Sequence, residues 1–192
     1  MGSVHARPAE PNDSLEGSPP ESPGADFDEV FEAYSYFVWC VLGKLGVRSA
    51  DVPDVCQDVF VVVHRRLGDF DGRTSIRSWI YGICVRTASD YRRRMRARRE
   101  HGTFPVPEQS VLPGQVEQLE RRRACDFLQQ VLDDLDEERR AVFVLYELEE
   151  LTMNEVADAV SCPLQTAYSR LYSARDAVKA AFRRFNAKRS TR

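Results

Sequence analysis

Apolar residues recur at steps of three and four along most of residues 26–187, which is the spacing of helices that pack along one face. The first stripe covers residues 27–45 and stops at Gly46, a common helix end signal. The second begins near Asp51, an N-cap residue with Pro53 in the first turn. A third starts at Ile76 and runs into a block of arginines. The sequence shows no alternating strand pattern, so we predict an all-α fold.

The second half of the chain carries the pattern of a helix-turn-helix. Helices are predicted at residues 115–134 and 136–149, and two more are divided by residues 161–163. Thr152 and Glu155 fit a capping box at the start of the first of these two. A short helix, a tight turn and a longer basic helix are typical of this motif. The apolar stripe of the last helix is Leu164, Ala167, Leu171, Ala174 and Val178.

Proline and glycine divide the chain. Residues 1–25 hold five of the ten prolines and almost no large apolar side chains, so we predict a disordered tail. A second break, with three prolines and a glycine at residues 102–113, predicts a flexible linker over residues 101–118. Two small helical domains are therefore expected at residues 26–100 and 119–187, followed by a basic tail at residues 188–192.

The composition is that of a globular protein, with 43% hydrophobic and 30% charged residues in a chain of 192. Each of the two expected domains has only about 70 residues. Domains of that size bury little surface alone and gain stability by docking on a partner. We expect a cytoplasmic location, because no apolar stretch is long enough to span a membrane and no secretion signal is present. The five cysteines form no CxxC pair, so we predict buried free thiols and no zinc site or disulfide framework.

The net charge of -3 conceals strong segregation along the chain. Seven arginines lie within residues 86–99, and eight Lys or Arg lie within residues 165–192. The segment between them, residues 126–158, is acidic. Two basic patches separated by an acidic segment indicate two contacts with a polyanion.

The recognition helix of a helix-turn-helix lies in the major groove, so residues outside its buried stripe would contact bases or phosphates. Arginine pairs well with guanine, and glutamine with adenine. An ordinary helical hairpin with a solvated basic face remains the alternative explanation. The candidates are Gln165, Thr166, Ser169, Arg170, Tyr172, Ser173 and Arg175.

Aromatic residues precede and interrupt the first arginine block, which is the chemistry that binds unstacked single-stranded bases. Phe70 and Trp79 also suit a hydrophobic core, and we expect Trp79 to lie partly in it. The loop of residues 71–75 is therefore the better candidate for base contacts.

The three histidines are dispersed, and neither a phosphate-binding glycine loop nor a nucleophile elbow occurs. We expect no enzyme activity, cofactor or metal.

Two stretches resemble a known family. Residues 51–60, DVPDVCQDVF, and residues 70–81, FDGRTSIRSWIY, resemble region 2 of sigma-70 factors of the extracytoplasmic-function group. Residues 135–139, LDEER, residues 151–157, LTMNEVA, and residues 163–175, PLQTAYSRLYSAR, resemble region 4. Both motifs occur in the family's order and at its separation.

The resemblance implies a promoter-specificity subunit of bacterial core RNA polymerase, with region 4 binding the duplex minus-35 element. An anti-sigma factor is a further possible partner, and nucleoid association is implied. Core polymerase would contact Asp54, Gln57, Asp58 and Arg65. The melted minus-10 element would contact Asp71, Gly72, Arg73, Thr74, Ser75, Trp79, Arg86, Asp90, Arg93 and Arg94.

The chain departs from the family pattern in the recognition helix. The family commonly has Gly at Gln165, Val at Ala167 and Lys or Arg at Tyr168, and many relatives are more basic at Ser173. These changes leave the minus-35 sequence open. The alternatives from other classes are a stand-alone helix-turn-helix regulator, which would bind duplex DNA without polymerase, and a structural helical adaptor.

Overall fold

The computed structural model describes Gly24, residues 26–101 and residues 116–190, with side chains at residues 26–98 and 124–187 among them. Within these ranges the chain is all-α and has no strand, which confirms the predicted fold class. Nearly all of the predicted tail and most of the linker lie outside the described residues. The helices are α1 (Phe27–Lys44), α2 (Val52–Arg66), α3 (Ile76–His101), α4 (Val116–Asp133), α5 (Glu137–Phe143), α6 (Met153–Ala159) and α7 (Leu164–Ser190).

Helices α1, α2 and α3 pack into one bundle. Each contributes the apolar stripe that the periodicity predicts: Val38 from α1, Val59 from α2 and Ile80 from α3 are all fully buried. Phe70 is buried beneath the loop that leads into α3, and Trp79 packs against it with ring centroids 5.5 Å apart. Trp79 is half-buried, so its predicted partial place in the core is confirmed.

The second unit is built on α7. Helix α5 continues into a π-helical turn, Val144–Leu148, and both pack with α6 against the start of α7. Phe127 of α4 contacts Phe182 and Phe185 near the other end of α7, with centroids 4.9 and 4.2 Å away. The long α7 therefore holds the recognition motif at one end and α4 at the other.

Four helix boundaries test the start and end signals that the sequence predicts. Asp136 caps α5 by accepting from the Arg139 N–H at 2.8 Å, and the predicted capping box of α6 is present. Gly46 has φ +90°, a conformation that costs an L side chain energy, which confirms it as an end signal. Asp51 precedes α2, but its side chain makes no capping bond because its carboxylate binds Arg48 and Tyr91 instead.

Two predictions about burial are partly wrong. Leu164 is 42% exposed because it stands in the first turn of α7, before the helix packs on its neighbours. The cysteines divide: Cys56 and Cys84 are buried as expected, Cys40 and Cys162 are half-buried, and Cys125 is exposed. A single small residue carries no periodicity of its own, so its burial depends on neighbours that the sequence does not show.

The two units also pack against each other, which the sequence did not predict. Helix α3 crosses α6 at Gly82, where an added Cβ would lie 3.3 Å from the carbonyl oxygen of Ala159.

No helix in the described ranges has both the length and the apolar content to cross a membrane. No group of three or more His, Cys, Asp or Glu side chains among these residues is arranged to hold a metal ion.

Gly46 offers a test of the turn between α1 and α2. We expect Gly46→Ala to lower the free energy of unfolding by about 1–2 kcal/mol, because alanine is strained at positive φ. Its Cβ would also lie 1.8 Å from Nη1 of Arg140 and displace that side chain. Gly43→Ala is the control, since it lies in α1 with no atom within 4 Å of the new methyl. Urea denaturation that finds both variants equally stable would refute this account of Gly46.

Candidate nucleic-acid and polymerase interface

The helix-turn-helix is formed by α6, a tight turn and α7. Ser161 adopts φ +53° in the turn, and the Pro163 carbonyl accepts from the N–H groups of Thr166 and Ala167. Ala167, Leu171 and Ala174 are buried, so the opposite side of α7 faces outward. Of the predicted minus-35 residues, Gln165, Ser169 and Tyr172 are exposed on that side, and Thr166, Ser173, Arg170 and Arg175 are half-buried at its margins.

Both arginines of the recognition motif are held by carboxylates of their own unit. Arg170 donates to Glu138 of α5 at 2.5 Å, and its side chain is 22% exposed. Arg175 donates to Glu147 at 2.5 Å and lies over the ring of Tyr146. The bond to Glu147, with a smaller opposing effect of burial, raises the pKa of Arg175. To contact DNA, each arginine must exchange a carboxylate for a base or a phosphate.

Two tyrosines are exposed on the recognition helix. Tyr172 is 59% exposed and Tyr168 37%, and their rings stack with centroids 6.4 Å apart. The helical period predicts exposure at both positions, but only Tyr172 was among the predicted contacts. Tyr168 was noted only as a departure from the family's Lys or Arg, and it was not included among the contacts although it lies off the same buried stripe.

The predicted base-contact loop of residues 71–75 is partly exposed. Asp71, Gly72 and Arg73 are exposed, and Thr74 and Ser75 are half-buried. Gly72 takes φ +71°, and the Asp71 carboxylate accepts from the backbone N–H of Arg73 at 3.1 Å. These bonds preform the loop at the start of α3.

The arginine block continues from this loop along α3. Arg86, Asp90, Arg93 and Arg94 are all exposed, and Asp90 accepts from Arg93 one turn away. Arg94 lies 3.8 Å from Asp58 of α2, so the predicted minus-10 and polymerase surfaces adjoin. The structure therefore places the loop, Trp79 and the cationic side of α3 along one edge of the first bundle.

The predicted polymerase residues share the outer face of α2. Asp54, Gln57, Asp58 and Arg65 are all exposed, opposite the buried stripe of that helix. Val61 lies among them and is 41% exposed, although it was not among the predicted contacts. A mixed face with an apolar centre is typical of a protein interface.

Comparison with known families decides the identity. The family model described as "Sigma-70 region 2" matches residues 30–99, and "Sigma-70, region 4" matches residues 128–178. This chain belongs to the sigma-70 family. Its first bundle is region 2 and its helix-turn-helix unit is region 4. As a sigma factor it is a promoter-recognition subunit of RNA polymerase, and a stand-alone regulator is not favoured.

Curated relatives place it in the extracytoplasmic-function group. The ECF RNA polymerase sigma-E factor of Escherichia coli (strain K12) is 30% identical over 141 residues, which cover 69% of this chain and 74% of that protein. The RNA polymerase sigma-H factor of Pseudomonas aeruginosa is 25% identical over 161 residues, covering 79% and 83%. Sigma factors are non-enzymatic initiation factors.

Solved structures share the fold. The sigma factor RpoE in complex with the anti-sigma factor NepR from Bartonella quintana matches with a TM-score of 0.64 and 20% identity, covering 82% of this chain and 97% of that one. CnrH in complex with the cytosolic domain of CnrY matches with a TM-score of 0.59 and 23% identity, covering 81% and 86%.

In this sigma factor, region 2 and region 4 are joined by a buried carboxylate. Glu149 of region 4 is 8% exposed and accepts from Lys44 Nζ at 2.5 Å and from the Tyr81 hydroxyl at 2.6 Å. Burial, together with the bond to this carboxylate, raises the pKa of Tyr81, so the hydroxyl stays protonated. A buried charge is tolerated only when it is paired in this way.

Further polar contacts line the same boundary. Ser78 donates to Glu155 at 2.9 Å, so the capping box of α6 is also an interdomain contact. Ser89 donates to Glu137 at 2.9 Å, and the Gln129 amide donates to the Gly43 carbonyl at 3.2 Å. We call the set of contacts made by Glu149, Glu155, Glu137 and Gln129 with region 2 the interdomain clasp.

Glu149→Gln tests the clasp. The amide cannot neutralise Lys44 and pairs less well with the Tyr81 hydroxyl, so we expect the closed arrangement to lose about 1–3 kcal/mol. Small-angle X-ray scattering should then show a larger radius of gyration as the regions separate about the linker. Glu150→Gln is the matched control, with the same charge change at the adjacent exposed position. A variant at Glu149 that scatters like the parent chain would contradict this role of the carboxylate.

Proposed function

We propose that the chain docks on core RNA polymerase through the outer face of α2 and reads a promoter with the two surfaces described above. The observation that carries the proposal is the order of these surfaces: a mixed face on α2, an adjoining cationic edge on α3, and an exposed recognition helix on a second domain. Two weak contacts joined in one chain raise the effective concentration of the second. The proposed domain boundaries are those expected from the sequence, at residues 26–100 and 119–187.

Region 2 supplies the minus-10 contacts in this proposal. The loop of residues 71–75 and Trp79 lie beside the arginines of α3, where an unstacked base would meet both an aromatic ring and cations. Flipping a base out of the duplex costs a few kcal/mol, which a preformed pocket offsets. The bond from Arg73 to Asp71 supports such preorganisation.

Region 4 supplies the minus-35 contacts. Gln165, Ser169 and Tyr172 face outward without reorganisation, whereas Arg170 must leave Glu138 before it can pair with a guanine. This exchange breaks an existing ion pair. Arg170 therefore contributes to base discrimination only where its contact with the base is more stabilising than its contact with the carboxylate.

The closed arrangement must open for both elements to be contacted together. Sites centred about 25 base pairs apart are separated by about 85 Å of B-form DNA. In contrast, Ser89 and Arg92 of region 2 and Arg170 of region 4 line one cavity of about 290 Å³. Polymerase binding would therefore separate the regions, breaking the clasp.

The remaining assignments follow from this role. We infer that the chain is not itself an enzyme and works in the cytoplasm, at the nucleoid, where polymerase meets the chromosome. An anti-sigma factor is a proposed partner, since the sigma factor RpoE from Bartonella quintana, which shares this fold, forms a complex with the anti-sigma factor NepR.

Asp58→Arg tests the polymerase face. The substitution reverses a charge on an exposed side chain of α2, so we expect the fold to survive and affinity for core polymerase to fall at least tenfold, about 1.4 kcal/mol. Affinity is measured by fluorescence anisotropy with labelled chain. Asp158→Arg, the same change at an exposed position of α6, should bind normally. Equal affinities for the two variants would remove Asp58 from the interface.

Arg170→Ala tests the minus-35 assignment. If Arg170 contacts a base, the holoenzyme should lose about 1–3 kcal/mol of promoter affinity and relax its preference at one position. Selection of promoters from a randomised library by the reconstituted holoenzyme measures both effects. Uniform weakening across all sequences would instead identify Arg170 as a phosphate contact.

A further inference from the structure

Four arginines line one cavity at the junction of the two regions. Its volume is about 360 Å³, and its walls are Arg48 in the turn after α1, Arg92 and Arg96 of α3, and Arg140 of α5, with Gly46, Tyr91, Met95 and Asp133. No residue of this wall other than Asp133 is acidic. Cavities of this size accommodate small organic ligands.

Arg140 is the most buried charge on this wall, with its side chain 2% exposed. Its Nη2 lies 3.0 Å from Asp133, but its Nε is buried without a hydrogen-bond acceptor. Burial, and the positive charge of Arg92, lower the pKa of Arg140 to about 10 despite Asp133. Burying a guanidinium group with an unpaired N–H costs free energy. The site can therefore accept more negative charge than its own carboxylates supply.

The carboxylates around the cavity leave Arg92 and Arg96 incompletely neutralised. Glu137 lies 3.8 Å from Arg92 and 3.4 Å from Arg96, so one carboxylate serves two guanidinium groups. Burial lowers the pKa of Arg92 in spite of that partner, and the charge of Arg96 lowers it further. Asp51 pairs with Arg48 at 2.6 Å, and Asp133, which pairs with Arg140, is 55% exposed.

We propose that this cavity binds a small phosphate-bearing anion. Guanidinium groups match phosphate oxygens with paired donors, and four of them converge here from α3, α5 and the turn after α1. The position of the cavity in the junction between the regions suits a free small molecule better than the continuous backbone of a duplex. Because the walls come from both regions, the bound anion would hold region 4 against region 2.

The test uses the full chain and pyrophosphate as the probe. Thermal unfolding and isothermal titration calorimetry are followed with increasing pyrophosphate, against chloride at the same ionic strength to remove general screening. We expect saturable binding, with a rise in the unfolding temperature that chloride does not reproduce. Arg140→Met and Arg96→Met should each weaken binding about tenfold or more, through the loss of a charged hydrogen bond.

Two controls keep the outcome decisive. Arg139→Met removes an adjacent arginine, 47% exposed and paired with Asp136 outside the cavity, and should bind as the parent chain does. Arg96 is 61% exposed, so its variant reports on the site even if Arg140→Met fails to fold. Absence of saturable binding, or equal binding by the Arg96 and Arg139 variants, would overturn the proposal. A defect of the Arg96 variant seen only with a random-sequence duplex would overturn it too, in favour of a DNA-backbone contact.

Discussion

The carboxylate of Glu149 is the interaction on which the relation between the two regions depends. It is nearly inaccessible to water, and its stabilising partners Lys44 and Tyr81 both come from region 2. If region 4 moved away, all three groups would be solvated again. The clasp therefore stabilises the closed arrangement only by the difference in free energy between the paired groups and the same groups in water. Such a contact is specific and reversible, which suits a protein whose two halves must both associate and part.

The arginines proposed to bind DNA are likewise paired with carboxylates of this chain. Arg170 and Arg175 are occupied by Glu138 and Glu147, and Arg93 by Asp90, so part of the chain's positive charge is neutralised internally. The acidic segment between the two basic patches supplies Glu138 and Glu147, so the basic surface of α7 is partly neutralised until DNA displaces these carboxylates. Binding of a polyanion then exchanges one set of ion pairs for another, which makes affinity sensitive to sequence and salt.

The helices and the helix-turn-helix could be predicted because local signals determine them. Apolar residues at helical spacing, Gly46 with its positive φ, and the reciprocal bonds of Thr152 and Glu155 act within a few residues of one another. The clasp could not be predicted, because Glu149 looks like any surface glutamate until Lys44, 105 positions away, is brought against it. The burial of Arg140 could not be predicted from the sequence for the same reason. Among the candidate site residues, exposure followed from the helical period, whereas the internal partners of Arg170 and Arg175 did not.

The central claim is that this chain directs core polymerase to promoters through two separated surfaces. It is tested most directly by adding the purified chain to bacterial core RNA polymerase free of other sigma factors and sequencing transcripts from a randomised promoter library. We expect specific start sites only when the chain is present, with two enriched elements upstream of them. Transcription that is unchanged by the chain, together with tight binding of the chain alone to duplex DNA, would contradict the account.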